Sequence, residues 1–139
     1  MAGTVIVDTI NSSVAGTPPV FQANGTEVGT LCRAWVNFNG TGTVAIRASF
    51  NVSSITDNGV GDYTVNFTNA LSDTNYSFSG SAARAGTVTI LGASYCVTAN
   101  DIVTARTTSS FRVIVQSNNG DASFDAPRDS AYMNINVFR

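Results

Sequence analysis

The sequence predicts an all-β protein: an antiparallel two-sheet β-sandwich of jelly-roll or immunoglobulin-like kind, preceded by an extended N-terminal arm. Three observations lead there. From Leu31 onward apolar and polar residues alternate in short runs, the pattern of strands buried on one face only. Gly, Asn, Asp and Ser separate those runs at intervals of roughly 8 to 12 residues, as turn chemistry demands. No stretch carries the apolar period of an amphipathic helix. With 139 residues, of which 43% are hydrophobic, the chain is one domain that can fill a core unaided.

Residues 1–30 read differently from the rest. A short strand is expected at Thr4–Ile10, followed by Asn11-Ser12-Ser13, Gly16-Thr17-Pro18-Pro19 and Asn24-Gly25-Thr26. Tandem proline forbids helix and central strand alike. The segment is expected to be an attachment arm, or else an edge strand and turn, leading into a sandwich domain over residues 31–139.

The strongest local signal spans Leu31 to Phe50. Cys32, Ala34, Val36 and Phe38 share one face, and Val44, Ile46, Ala48 and Phe50 share another, so both sets are expected to line one core. Pointing both sets inward across a hairpin requires paired residue numbers with an even sum. A loop of Gly40-Thr41-Gly42 sets Trp35 opposite Arg47 on the outer face, a cation–π arrangement. The neighbouring even register would oppose Arg33 and Arg47, a like-charge pair. Further strands are expected at Tyr63–Phe67, Asn75–Ser79, Thr87–Leu91, Tyr95–Thr98, Ile102–Arg106, Phe111–Val115 and Ala131–Phe138. Asp57-Asn58-Gly59 and Ser117-Asn118-Asn119-Gly120 read as turns. In the last strand Met133, Ile135 and Val137 alternate with Tyr132, Asn134, Asn136 and Phe138.

Composition removes most chemistry. The chain has no His, and its seven basic residues are all Arg, so no imidazole or amine is available to activate a serine or thiol nucleophile. The acids lie mostly beside turn residues, where aspartate serves the backbone, so a catalytic carboxylate pair is a minor alternative. No catalytic, cofactor-binding or metal-ligating residue is assigned. Net charge is −2 with the arginines scattered singly, which argues against nucleic acid. No apolar run is long enough to insert in a membrane as a helix. The opening residues lack a secretory pattern, so a reducing compartment is expected, with Cys32 and Cys96 as buried thiols rather than a disulfide.

What remains is surface. Trp35, Arg33 and Arg47, with Leu31 and Asn37, form the candidate binding face, since tryptophan among arginines is the composition of an interface anchor. The alternative is a second sheet covering that face. Charged residues make up only 12% of the chain, against about 25% in soluble proteins generally. A homo-oligomer that hides part of the surface accounts for this.

The segment from Ala34 to Gly59, AWVNFNGTGTVAIRASFNVSSITDNG, resembles one that recurs in tail-fibre-like virion proteins of tailed bacteriophages of the cyanophage and marine-phage type. Its continuation Gly61 to Phe67 also fits, as do Val7 to Ile10 and Gly16 to Phe21. The resemblance covers about half of the chain and implies a β-rich virion component assembled in the host cytoplasm. It implies a homotrimer that docks to other virion proteins and faces the host cell, and the first expectation for its role is an adhesin that binds a host-surface glycan. A capsid decoration or head-fibre protein with a purely architectural role is the alternative. The second half, from about Ala82, carries no resemblance.

Overall fold

The computed structural model describes residues 20–23, 26–83, 94–99, 106–118 and 124–139. The described strands are β1 (Val20–Ala23), β2 (Thr26–Thr30), β3 (Cys32–Asn39), β4 (Ala45–Phe50), β5 (Val52–Gly59), β6 (Asp62–Phe67), β7 (Ser77–Ala83), β8 (Ser94–Ala99), β9 (Ser110–Asn118), β10 (Phe124–Pro127) and β11 (Tyr132–Phe138). No helix occurs among the described residues. The chain divides into two compact units, Met1–Leu31 and Cys32–Arg139. In the first unit β1 and β2 pair as an antiparallel hairpin, with a register shift after Phe21. The strand expected at Thr4–Ile10 lies outside the described residues, as do Thr87–Leu91 and most of Ile102–Arg106.

The second unit is an antiparallel β-sandwich. One sheet has the order β4-β3-β11-β7; the other runs β10-β9-β6-β5, with β8 also paired to β9. The inner faces supply the alternating apolar residues. Ala34, Val36, Phe38, Met133, Ile135 and Val137 of the first sheet are buried against Val52, Tyr63, Val65, Phe67, Phe111, Val113 and Val115 of the second. Two aromatic contacts bridge the sheets: Phe38 meets Tyr63 edge-on at 5.3 Å between centroids, and Phe78 meets Phe111 at 5.3 Å. Such pairs contribute about 0.5–1.5 kcal/mol beyond the area they bury. The Tyr76 phenol adds to this cluster by meeting Phe111 and Phe67 edge-to-face, while its hydroxyl donates to the Thr107 carbonyl at 3.0 Å. Burial pushes the Tyr76 phenol up to about 12.

The hairpin β3–β4 departs from the expected register. Trp35 faces Phe50, not Arg47, for two reasons: Asn39 pairs with Ala45, so residues 40–44 form the loop instead of Gly40-Thr41-Gly42 and the pairing shifts by two, and a bulge after Asn37 then leaves Arg47 as the extra residue. Beyond an extra residue the side-chain parity of a strand reverses. Ile46 therefore packs on the core as expected, whereas Ala48 and Phe50 turn outward instead of lining it. A second bulge sets Phe138 opposite Cys32 and Val137 opposite Ala34, making Arg33 the extra residue on β3. Cys32 is a free thiol that is half-buried rather than buried, 3.1 Å from the Ala34 carbonyl. The Cys96 side chain lies outside the described residues.

Asp57-Asn58-Gly59 also differs from expectation, since these residues end β5 and the reversal falls on Val60–Gly61. Gly61 adopts φ +65°, in the left-handed region that only glycine enters freely.

Asn51 alone separates β4 from β5, so the chain passes from one sheet to the other within a single residue. Its φ of +54° makes the corner. Asparagine tolerates this conformation, and here its side chain also clasps both neighbours. Nδ2 donates to the Arg33 and Asn69 carbonyls at 3.2 Å each, while Oδ1 accepts the Asn69 N–H at 2.8 Å. Asn51→Ala is expected to lower stability by about 2 kcal/mol, combining lost hydrogen bonds with left-handed strain. Asn51→Gly, which keeps the corner, should lose less, and urea unfolding of the two variants separates the contributions.

Candidate functional site

The outer face of the β4-β3-β11-β7 sheet collects most of the exposed large apolar side chains. By register, Phe50, Trp35, Asn136 and Ser79 form one row across the four strands, and Ala48, Asn37, Asn134 and Ser81 form the next. Phe138 and Ser77 stand beyond the first row, and Tyr132 and Ala83 beyond the second. Rows on one face repeat about every 6.6 Å and strands about every 4.8 Å, so the platform measures about 14 by 20 Å. Trp35 is 38% exposed, Phe50 55%, Tyr132 49% and Phe138 40%. No sheet of the second unit's described residues covers them.

Between the aromatic groups runs an amide ladder. Asn37 Nδ2 donates to Asn134 Oδ1 at 2.6 Å, and Asn134 Nδ2 lies 3.5 Å from Ser81 Oγ. Each amide has two donors and an oxygen with two lone pairs, so this chain of contacts leaves hydrogen-bonding capacity facing outward. Outward positions on the described strands of this sheet include no Asp or Glu.

Arg47 lies on this face but not where its register was expected. Its guanidinium reaches across β3 to stand 4.7 Å from the centre of the Tyr132 ring, and Nη2 donates to the Ala131 carbonyl at 2.6 Å. The cation–π partner is Tyr132 instead of Trp35. Arg33, at its bulge, is half-buried and its carbonyl receives the Asn51 amide. The structure thus places Trp35 and Arg47 on one surface, with Arg47 three residues along β4 from the residue that faces Trp35, and leaves Arg33 at the margin. Asn37 stands on this face as expected, Phe50 was expected in the core and is exposed, and Tyr132, Asn134 and Phe138 join a face to which the sequence did not assign them. The strict alternation of Tyr132 to Phe138 was the available signal, because it puts two aromatic residues on the amide side.

The described carboxylates serve the fold. Asp129 Oδ1 accepts the Tyr63 hydroxyl at 2.9 Å and the Gly61 N–H at 2.7 Å, while the same hydroxyl contacts the Gly40 carbonyl at 2.7 Å. Burial, then the adjacent Asp129, hold the Tyr63 phenol well above its ordinary range. Asp73 pairs with Arg139, and Asp57 accepts the Gly59 N–H at 2.9 Å. Asp62 forms a two-pronged ion pair with Arg112, whose Nε donates to Oδ1 at 2.6 Å.

That guanidinium holds the Asp62 carboxyl below the ordinary 3.8, and Asn58 assists. A carboxyl whose acidity is strengthened by folding stabilises fully above its unfolded value and loses that contribution as pH falls through the folded one. Melting temperature should therefore be insensitive to this pair above about pH 5 and decline below about pH 4. Asp62→Asn should flatten that acid limb, read from thermal melts across pH.

Protein-family models, curated proteins and solved structures give no match to this chain.

Proposed function

We propose that the chain is a structural protein of a bacteriophage virion, a small tail-fibre or knob-like subunit that contacts carbohydrate on the host surface. The outer face of the β4-β3-β11-β7 sheet carries this reading. Pyranose rings offer apolar C–H faces ringed by hydroxyl groups, and they match a platform where exposed aromatic rings alternate with amide and hydroxyl groups. Rigid aromatic anchors beside adaptable Asn and Ser side chains are also how other recognition surfaces combine area with hydrogen bonding. The resemblance over Ala34–Gly59 supports the virion assignment, and that segment builds β3, β4 and β5, including Trp35 and Phe50. A chain without imidazole or lysyl amine fits binding better than bond-making.

The subunit assembles as a homotrimer in this reading, consistent with the low proportion of charged residues. Added in excess, the purified protein should block adsorption of the phage, and a glycan array should identify the ligand. Unchanged adsorption together with altered particle stability would favour a decoration or head-fibre protein. Light scattering decides the trimer, since a stable monomer rules it out.

A further inference from the structure

We infer that Asn58–Gly59 is a site of spontaneous covalent change, in which the Gly59 backbone nitrogen closes on the Asn58 side chain and the amide leaves as ammonia. Asn-Gly is the dipeptide in which no Cβ obstructs that closure. The sequence has it at Asn24, Asn39, Asn58 and Asn119, and the described residues include the pairs at Asn39 and Asn58.

These two pairs sit in opposite surroundings. Gly40 is buried, its N–H donates to the Ser130 carbonyl at 2.9 Å, and the place a Cβ would take is 2.6 Å from the Tyr63 hydroxyl. Its backbone has no room to swing. Asn58 is the extra residue of a bulge, since Asp57 pairs with Tyr63 and Gly59 with Asp62. It stands on β5, the outermost described strand of its sheet, and both Asn58 and Gly59 are exposed. Open space surrounds Gly59, whose φ is +130°.

The hydrogen bonds at this site are arranged along the reaction. The Gly59 N–H, whose proton must leave, already donates to the Asp57 carboxylate at 2.9 Å. A carboxylate so placed is a general base for the attacking nitrogen. Asn58 Nδ2, the leaving nitrogen, donates to Thr64 Oγ1 at 2.9 Å and to Asp62 Oδ1 at 3.3 Å, which fixes the amide for attack. The bond between Gly59 N and Asn58 Cγ forms as the Cγ–Nδ2 bond breaks. The Gly59 proton passes through Asp57 to the departing nitrogen, which leaves as ammonia. Water then opens the cyclic imide at either carbonyl, giving an aspartyl or an isoaspartyl residue. The aspartyl product sets a new carboxylate against Asp62, where a donor had been, and the isoaspartyl product routes the main chain through the former side chain, lengthening it by one carbon.

Incubating the folded protein at mildly alkaline pH, then digesting it and weighing the peptides, tests this. The peptide containing residue 58 should gain the acid form while the peptide containing Asn39 keeps its amide, and unfolding the chain should release Asn39 to convert as well. Asp57→Asn keeps an acceptor for Gly59 but removes the base, and should slow conversion at Asn58 several-fold. Asp57→Ser is a second such variant, and thermal melts verify that each is folded. Equal conversion at both sites in the folded protein, or an intact Asn58 under conditions where the unfolded chain converts, overturns the assignment. An unchanged rate in both folded variants overturns the role of Asp57.

Discussion

Replacing Gly61 with alanine is expected to lower folding stability by about 3–4 kcal/mol, a large part of the 5–15 kcal/mol that holds a typical domain together. A Cβ at this position would lie 2.4 Å from the Arg128 backbone nitrogen and 2.9 Å from the Arg128 carbonyl oxygen. These are backbone atoms, so no rotamer change relieves the clash. The strand leading to them cannot yield cheaply either. Arg128 N–H donates to the Val115 carbonyl at 3.0 Å, Val115 N–H donates to the Gly61 carbonyl at 2.8 Å, and Gly61 N–H donates to Asp129. Displacing residues 127–129 would draw Asp129 away from the buried Tyr63 hydroxyl. Gly42 supplies the control: its φ is +62°, nearly that of Gly61, but nothing lies within 4 Å of its Cβ position. Gly42→Ala should cost only the left-handed strain of about 1–2 kcal/mol. Urea unfolding of the two variants side by side isolates the clash. Equal losses would show that strain alone matters at Gly61.

Truncating the aromatic platform should do the reverse, removing binding while sparing the fold. Under the proposed carbohydrate-binding function, Trp35→Ala is expected to weaken glycan binding by about 30-fold, corresponding to about 2 kcal/mol for a central aromatic anchor. Phe50→Ala, one strand away, should weaken it less, and the double variant should lose more than either. Both side chains are already well exposed on the outer face, so melting temperatures should stay close to that of the parent protein. Phe111→Ala is the contrasting substitution. It opens a hole among Phe67, Tyr76 and Phe78 and should destabilise by about 3–5 kcal/mol. Titration calorimetry with the ligand from the array, paired with thermal melts, distinguishes the two classes. A Trp35→Ala protein that binds like the parent would remove this face from the proposal.

The alternation of apolar and polar residues from Leu31 onward was enough to establish an all-β sandwich, because burying one side of a strand imposes a two-residue period that any reader of the chain can see. The same rule identified Ala34, Val36 and Phe38 as the inward residues of β3, set Met133, Ile135 and Val137 apart from their neighbours in β11, and placed Trp35 outside. It failed at two bulges. An extra residue at Arg47 or Arg33 leaves no mark in the local pattern, yet it reverses every side chain beyond it. Phe50 therefore reads as core in the sequence and stands on the surface in the fold. The strand partners are equally invisible in one dimension. Asn37 meets Asn134 across 97 positions of chain, and Arg47 meets Tyr132 only because β11 returns beside β3. Local periodicity depends on neighbouring residues and is written in their order. A binding surface depends on which distant strands come to lie side by side, and that follows from the packing of two whole sheets.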